Sequence, residues 1–501
     1  MIETLSALWQ GALSMLTITN MLIIALGSIV GTVVGALPGL GPSAGIALMI
    51  PLTFTLPVDQ ALALLVGVYM GTMYGGRITA ILINTPGDAP AIMTAEDGYP
   101  LMQQGKGGMA MGLSAIASFI GGSFGLLILI FLAPTISRLV INFGAPEYFM
   151  LMLLGLATIA LLAGKSILKA VMMTAIGFVI GMIGADYISG YVRWDYAPEL
   201  LEGIDFVFVI IGMYGLGEVF FNVENETRLN LGKPSFKMSE FIPGIGVIKR
   251  TLPSMLRGSV IGTLVGILPG AGGTIATFLA YATEKKVSKT PERFGKGAEE
   301  GLAAPEAANN ASVPGALVPL ITLGIPGSGG TAIFLGVLIM FGMQPGPLLM
   351  VKSAGIVWEM IAALCLANLF LLFSNVLMIP LFVNMIRIVE KNLSPLVLVF
   401  CCVGAYALNY NFFGVWLIVI FGVFGYCVKK LKYPAGPLIL SVVLAPLTEN
   451  YFRQSLMLSR GSYAIFVTRP VSLVIFLAII GVFLYSLGKK YVFGKKKIKT
   501  A

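Results

Sequence analysis

A proline followed by glycine interrupts apolar sequence at four places. These are Pro38-Gly39-Leu40-Gly41-Pro42-Ser43, Asn84-Thr85-Pro86-Gly87, Pro269-Gly270-Ala271-Gly272-Gly273-Thr274 and Gly324-Ile325-Pro326-Gly327-Ser328-Gly329-Gly330-Thr331. Proline removes a backbone donor and glycine lets the chain turn, so each break leaves N–H and C=O groups without helical partners. In hydrocarbon such groups are tolerated only where they are buried in protein or line a polar cavity. Where a half-helix starts, its free N–H groups and positive dipole end favour an anion, and Ser43, Thr274, Ser328 and Thr331 sit where hydroxyls add donors. Where a half-helix ends, free carbonyls can bind a bare cation. The chemistry this suits is a carboxylate carried together with Na⁺. The competing reading is that the glycines permit close helix packing while the prolines kink. Paired interruptions in matching positions favour a binding site.

Polar residues flank the breaks. Thr94-Ala95-Glu96-Asp97-Gly98-Tyr99-Pro100 follows the second, and Pro305-Glu306-Ala307-Ala308-Asn309-Asn310-Ala311-Ser312 precedes the fourth. Carboxylates and amides this close to apolar spans are functional candidates. Asp97 and Glu306 are the candidates for the coupling ion, Na⁺ or a proton; Asn309 and Asn310 can hydrogen-bond a carboxylate. Asp97 could instead cap a surface helix and Glu306 could lie in a cytoplasmic loop. Arg77 could attract an anion or serve as a cytoplasmic anchor. The residues expected at the substrate are Pro38, Gly39, Gly41, Ser43, Asn84, Thr85, Pro86, Gly87, Gly270, Gly272, Thr274, Asn309, Asn310, Pro326, Gly327, Ser328 and Thr331. No catalytic residue, metal site or organic cofactor is expected: the chain has no histidine, no Ser-Lys constellation, no facing aspartyl pair and no nucleotide-binding loop.

The elements that must position these residues repeat. Gly31-Thr-Val-Val-Gly-Ala-Leu-Pro-Gly-Leu-Gly41 recurs as Gly262-Thr-Leu-Val-Gly-Ile-Leu-Pro-Gly-Ala-Gly272, identical at eight of eleven positions. Each copy is followed about fifty residues later by a second Pro-Gly break. Such self-similarity marks a repeated architecture. The expected division is an amphipathic N-terminal segment (1–19), a first membrane repeat (20–222), a cytoplasmic linker (223–251), a second membrane repeat (252–450) and a final transmembrane helix with a basic cytoplasmic tail (451–501).

Composition sets the medium. Of 501 residues 57% are hydrophobic and 11% charged, against about 45–50% and about 25% in soluble domains. Apolar runs long enough to cross about 30 Å of hydrocarbon recur along the chain, so it reads as an all-α integral membrane protein with about eleven transmembrane helices plus re-entrant or broken ones. The formal charge of +9 lies in short loops rather than on one basic face, which argues for membrane orientation and against nucleic acid. Basic residues collect at Lys165/Lys169, between Arg228 and Arg257, at Lys285–Lys296, at Arg387/Lys391, at Lys429/Lys430/Lys432 and in the Lys489–Lys499 tail. The positive-inside rule places these in the cytoplasm. An uncharged lead into the first repeat and a basic lead into the second then imply an inverted repeat, N-terminus out and C-terminus in. One long spanning helix at the start would flip the N-terminus. Met1–Asn20 contains no Lys or Arg and lacks the basic n-region of a cleaved signal peptide. The four cysteines, Cys365, Cys401, Cys402 and Cys427, lie in apolar runs without a C-x-x-C pair and read as small buried hydrophobes.

At these motifs the chain resembles the large membrane subunit of the tripartite tricarboxylate transporter family, the TctA type. The landmarks are Gly35-Ala-Leu-Pro-Gly-Leu-Gly-Pro42, Tyr74-Gly-Gly-Arg-Ile-Thr-Ala80, Leu82-Ile-Asn-Thr-Pro-Gly87, Thr94–Pro100, Pro305–Ala311, Leu323-Gly-Ile-Pro-Gly-Ser328 and Arg469-Pro470, across about residues 20–480. The resemblance implies a secondary transporter of the bacterial inner membrane that imports an organic carboxylate by cation symport. It also implies two partner proteins: a small membrane subunit of about four helices and a periplasmic solute-binding protein that delivers substrate. Either a hairpin domain moving against a scaffold or one repeat rocking against the other fits this pattern. The rival readings are a gradient-independent anion channel, whose filter could also be Gly-rich, and a structural scaffold subunit.

Overall fold

The computed structural model describes residues 2–162, 166–186, 189–194, 197–224, 238–270, 272–482 and 484. Lys165, most of the proposed linker with Arg228, Lys233 and Lys237, the Lys489–Lys499 tail, and the side chains of Arg387 and Lys391 lie outside the described residues.

The chain is all-α. It runs α1 (Ile2–Met15), α2 (Ile18–Ala36), α3 (Gly41–Thr53), α4 (Val58–Ile83), α5 (Ile92–Gln103), α6 (Gly107–Val140), α7 (Ala145–Leu162) and α8 (Ile167–Gly181). A two-residue antiparallel ribbon, β1 (Gly184–Ala185) with β2 (Val192–Arg193), follows. Then come α9 (Phe206–Ile210), a π-helical turn at Ile211–Leu216, and α10 (Gly217–Glu224). The second part contains α11 (Ile245–Ile267), α12 (Gly272–Val287), α13 (Glu299–Leu323), α14 (Gly329–Met340), α15 (Leu349–Lys352), α16 (Ala354–Leu377), α17 (Ile379–Asn409), α18 (Phe412–Lys430), α19 (Ala435–Leu458) and α20 (Ile465–Thr468). A last apolar helix, α21, spans Pro470–Val482. Six helical stretches among the described residues are long and apolar enough to cross a membrane: Ile18–Ala36, Val58–Ile83, Gly107–Val140, Phe206–Glu224, Ala354–Leu377 and Phe412–Lys430. Six shorter apolar helices accompany them. The opening segment is two helices: α1 ends at Met15, and Thr17 caps α2 by accepting the Asn20 N–H.

The chain divides into two compact units, Met1–Arg138 with Val207–Cys427, and Leu139–Phe206 with Val428–Ala501. Each unit draws on both halves of the sequence, so the repeats are not spatial domains.

Glycine spacing builds the centre of the first unit. Gly27, Gly31 and Gly35 lie on one face of α2, and Gly67, Gly71 and Gly75 on the facing side of α4. A Cβ on any of the six would strike the backbone of the other helix. The second half repeats the device: Gly258, Gly262 and Gly266 of α11 lie against the backbone at Ala304, Ala308 and Ser312 of α13. Without a hydrophobic drive between helices in lipid, such close backbone approach is what dispersion and packing can use. The π-helical turn carries Tyr214 towards α3, where its hydroxyl is hydrogen-bonded to Ser43.

In the second unit α8 packs on α19 through Gly177 and Gly181, which lie against Leu438 and Val442. Arg193 grips Glu449 with both terminal nitrogens (2.8 and 2.6 Å) and donates to Asp186 (2.8 Å). Arg453 pairs with the same Asp186 oxygen at 2.5 Å. The Arg469-Pro470 landmark has a structural role, since Arg469 Nε donates at 2.5 Å to Glu147, which is buried and also accepts the Gly144 N–H. Cys365, Cys401, Cys402 and Cys427 are free thiols; contrary to the expectation that all are buried, Cys427 lies on the exposed face of α18.

Candidate functional site

The four breaks form two matched pairs, the first with the third and the second with the fourth, each pair with the same backbone hydrogen bonds. In the first, Leu37 N donates to Val34 O (3.1 Å), closing α2, and Gly39 at φ +91° turns the chain so that Gly41 can open α3. In the third, Leu268 N donates to Val265 O (3.1 Å), closing α11, and Gly270 at φ +77° turns the chain into α12. The second and fourth end in a left-handed cap, Asn84 after α4 and Gly324 after α13. Thr85 N then bonds Thr79 O, and Ile325 N bonds Pro319 O, both at 3.2 Å. The breaks are sewn together in pairs: Gly39 N donates to Gly87 O (3.0 Å) and Gly270 N to Gly327 O (3.1 Å). A Cβ at Gly87 would overlap Gly35 O, and one at Gly327 would stand 2.5 Å from Gly266 O. That closeness is why glycine is required there.

The next residues cap the following segments. Ser328 Oγ accepts the Thr331 N–H (3.2 Å) while Thr331 Oγ1 accepts the Ser328 N–H (2.8 Å), a reciprocal cap on α14. At the matching position of the first half, Asp88 Oδ1 accepts the Ala91 N–H (3.1 Å) just before α5.

The halves then interlock across the first unit. Tyr69 of α4 shares a 2.8 Å hydrogen bond with Ser328 Oγ, and the Ser43 hydroxyl lies 2.8 Å from where a Gly329 Cβ would stand. On the other side, the Cβ position of Gly273, in the first turn of α12, is 2.8 Å from Asn309 Oδ1, 3.2 Å from Ser312 Oγ and 3.3 Å from Pro90 Cγ. Tyr69 and Asn309 occupy matching places on α4 and α13. The starts of α3, α12 and α14 and the turn before α5 therefore face one small region, with the hydroxyls of Ser43, Tyr69 and Ser328 beside it. Helix starts that face one spot add their positive ends, and neutral donors hold a carboxylate without bringing a second charge.

Most of the residues expected at the substrate fall here, in distinct roles. Gly41, Ser43, Gly272, Thr274 and Ser328 are half-buried at the half-helix starts. Pro38, Gly39, Asn84, Thr85, Pro86, Gly87, Gly270, Pro326 and Gly327 form the turns themselves. Thr331 has its hydroxyl engaged in the cap of α14. Asn309 and Asn310 are almost wholly buried; their Nδ2 groups donate to Met73 O (3.4 Å) and Glu306 O (3.2 Å), and both Oδ1 atoms have no partner.

The two expected ion carriers have other surroundings. Asp97 Oδ1 accepts from Gly295 N, Gly297 N and Ala298 N (2.9, 2.9 and 2.7 Å), and its Oδ2 from Tyr281 Oη (3.0 Å). It anchors the loop before α13 instead of capping its own helix. Burial pushes its carboxyl above the ordinary carboxylate value, and the amides with Tyr281 draw it back down. Glu306 is buried within α13, not in a loop, and accepts from Thr94 and from Ser118 (2.8 Å). Arg77 is wholly buried, so it is neither a surface anchor nor open to a ligand from solvent. It donates to Met111 O (2.7 Å), Ser114 Oγ (2.5 Å) and Asn375 Oδ1 (3.0 Å), in the electrostatic field of Glu306. Sequence reasoning missed Tyr69, Tyr214 and Asp88. Only Asp88 had a signal: it follows Pro86-Gly87 as Ser328 follows Pro326-Gly327.

The model of the tripartite tricarboxylate transporter TctA family matches residues 21–440. The chain belongs to the TctA family. It is 38% identical over 473 residues to an uncharacterized 52.8 kDa protein of the TAR-I ttuC' 3' region of Agrobacterium vitis, covering 94% of each chain. An uncharacterized protein of the TAR-II ttuC' 3' region of the same organism is 39% identical over 211 residues, 42% of this chain and 87% of that one. Membership makes this TctA chain a multi-pass membrane subunit of a tripartite tricarboxylate transporter.

Proposed function

We propose that this TctA chain is the permease of a secondary transporter in the bacterial inner membrane, importing an organic di- or tricarboxylate by cation symport. A periplasmic solute-binding protein delivers the substrate, and a small membrane subunit of about four helices completes the assembly. The observation that carries the reading is the convergence of half-helix starts, with Ser43, Tyr69 and Ser328 beside them, on one region of the first unit. Three half-helix N-termini with neutral hydroxyl donors suit a ligand with several carboxylates. Binding a cation alongside cancels charge, which lowers the cost of moving the loaded site through the membrane.

The test is uptake of labelled mono-, di- and tricarboxylates into proteoliposomes holding this chain, its small subunit and its binding protein, with and without an inward Na⁺ gradient at fixed pH, and under an inward proton gradient without Na⁺. Accumulation of one carboxylate above its external concentration, driven by the gradient, is the expected result. Equilibration without accumulation under both Na⁺ and proton gradients would replace the symporter with the anion channel.

A further inference from the structure

The repeat builds two equivalent polar positions, and they are chemically unequal. In the half that places Ser328 at the α14 cap, every side-chain polar atom of the trio Tyr69, Ser328 and Thr331 is engaged by a neighbour. Its counterpart replaces Ser328 with Asp88 and Tyr69 with Asn309. Asp88 and Asn309 are 9% and 2% exposed, and each has an oxygen, Asp88 Oδ2 and Asn309 Oδ1, with no partner. The amide orientation of Asn309 follows from its Nδ2 bond to Met73 O, which leaves the oxygen beside Gly273 and Pro90, two residues from Asp88.

An unpartnered buried carboxylate oxygen is costly unless something positive meets it. Among the described residues, the protein does not supply enough of it nearby. Glu306 is close enough to act on Asp88 electrostatically, and Arg77 is the buried cation that acts on Glu306. When all three are ionised, two carboxylates face one guanidinium and one negative charge is left over. Asp97 is no substitute receptor, because four protein donors already occupy its oxygens.

We propose that Asp88 and Asn309 form the coupling-cation site, taking Na⁺ through Asp88 Oδ2 and Asn309 Oδ1, while the equivalent Ser328–Tyr69 position receives a substrate carboxylate. The repeat thus sets a cation site and an anion site side by side from one structural plan, with Asp88 in place of Ser328 and Asn309 in place of Tyr69 as the differences that assign the charges. This rests on the symport reading above.

Asp88→Asn is the informative variant, because asparagine still caps the Ala91 N–H while losing the charge. Two measurements are made on the assembled transporter: Na⁺-dependent thermal stabilisation in detergent, with Na⁺ alone against K⁺ as the probe, and Na⁺ dependence of carboxylate uptake in proteoliposomes. The expected result is Na⁺ stabilisation of the wild type, and in Asp88→Asn a melting temperature in K⁺ no lower than that of the wild type, because the unmatched charge is gone, with at least a tenfold rise in half-saturating Na⁺ in both assays. Asn309→Ala should raise it in the same direction, and Ser328→Ala should leave Na⁺ stabilisation in place. If wild-type uptake is Na⁺-driven but Asp88→Asn keeps the same half-saturating Na⁺, the site is wrong and symport stands. Wild-type accumulation that follows a proton gradient and ignores Na⁺ overturns the Na⁺ assignment, and no accumulation under either gradient overturns the symport reading with it.

Discussion

Replacing Ser328 by aspartate separates a structural role from a binding role at the same atom. Ser328 Oγ caps α14 through the Thr331 N–H and also meets Tyr69. Aspartate is as good a cap as serine, so the helix start should lose no more than a few tenths of a kcal/mol. Its charge is another matter. A substrate carboxylate held by the start of α14 would sit at about 4 Å from the new carboxylate, and like charges at that distance repel by about 4 kcal/mol at the effective dielectric of a partly buried site. At about 1.4 kcal/mol per factor of ten, that is roughly a thousandfold loss of substrate affinity. Ser328→Ala is the converse control. It loses a cap at about 1 kcal/mol and a neutral hydrogen bond at about another 1 kcal/mol, so stability falls while affinity drops only modestly. Substrate KM for proteoliposome uptake and the melting temperature of the purified complex read the two effects separately. If Ser328→Asp transports with KM within threefold of wild type, the carboxylate is not bound at this helix start and the reasoning fails.

Other perturbations follow from the same geometry. Gly87→Ala should destabilise by about 1–3 kcal/mol or more, because its Cβ overlaps Gly35 O and Gly76 Cα stands 2.9 Å away, both backbone atoms that side-chain repacking cannot move; a melting temperature equal to wild type would contradict the paired-break geometry. Asp97→Ala leaves the N–H groups of Gly295, Gly297 and Ala298 without their acceptor and should cost about 3 kcal/mol. Its half-saturating Na⁺ should not move, and a shift there would return an ion-carrying role to Asp97. Arg77→Gln strands the Glu306 charge in the interior, at about 3–5 kcal/mol. Adding Glu306→Gln should recover part of that loss, and strict additivity in the double-mutant cycle would mean the two charges are not coupled.

The fold was largely legible because its signals are local. Apolar runs, the eleven-residue repeat and the four Pro-Gly breaks all act within a few turns of helix, and each appears in the structure with matching hydrogen bonds in both halves. The turns are local too: Asn84 and Gly324 take the same left-handed cap although their types differ, because asparagine and glycine both tolerate positive φ. Asp88 is marked in the sequence only by its place after Pro86-Gly87, which matches that of Ser328 after Pro326-Gly327.

What tertiary structure alone decided is which polar atoms are satisfied. Tyr69 meets Ser328 from 259 residues away, Asp97 finds its amides about two hundred residues on, and Arg77 finds Asn375 from 298 away. No spacing rule reaches that far. The same carboxylate type is consumed by protein donors at Asp97, held beside a buried guanidinium's field at Glu306, and left with an open oxygen at Asp88. The sequence by itself determined that the chain is a repeated helical membrane protein broken at four points. Packing determined which broken ends meet and which charges remain unmatched, because both depend on how α4 and α13 bring the two halves together across the first unit.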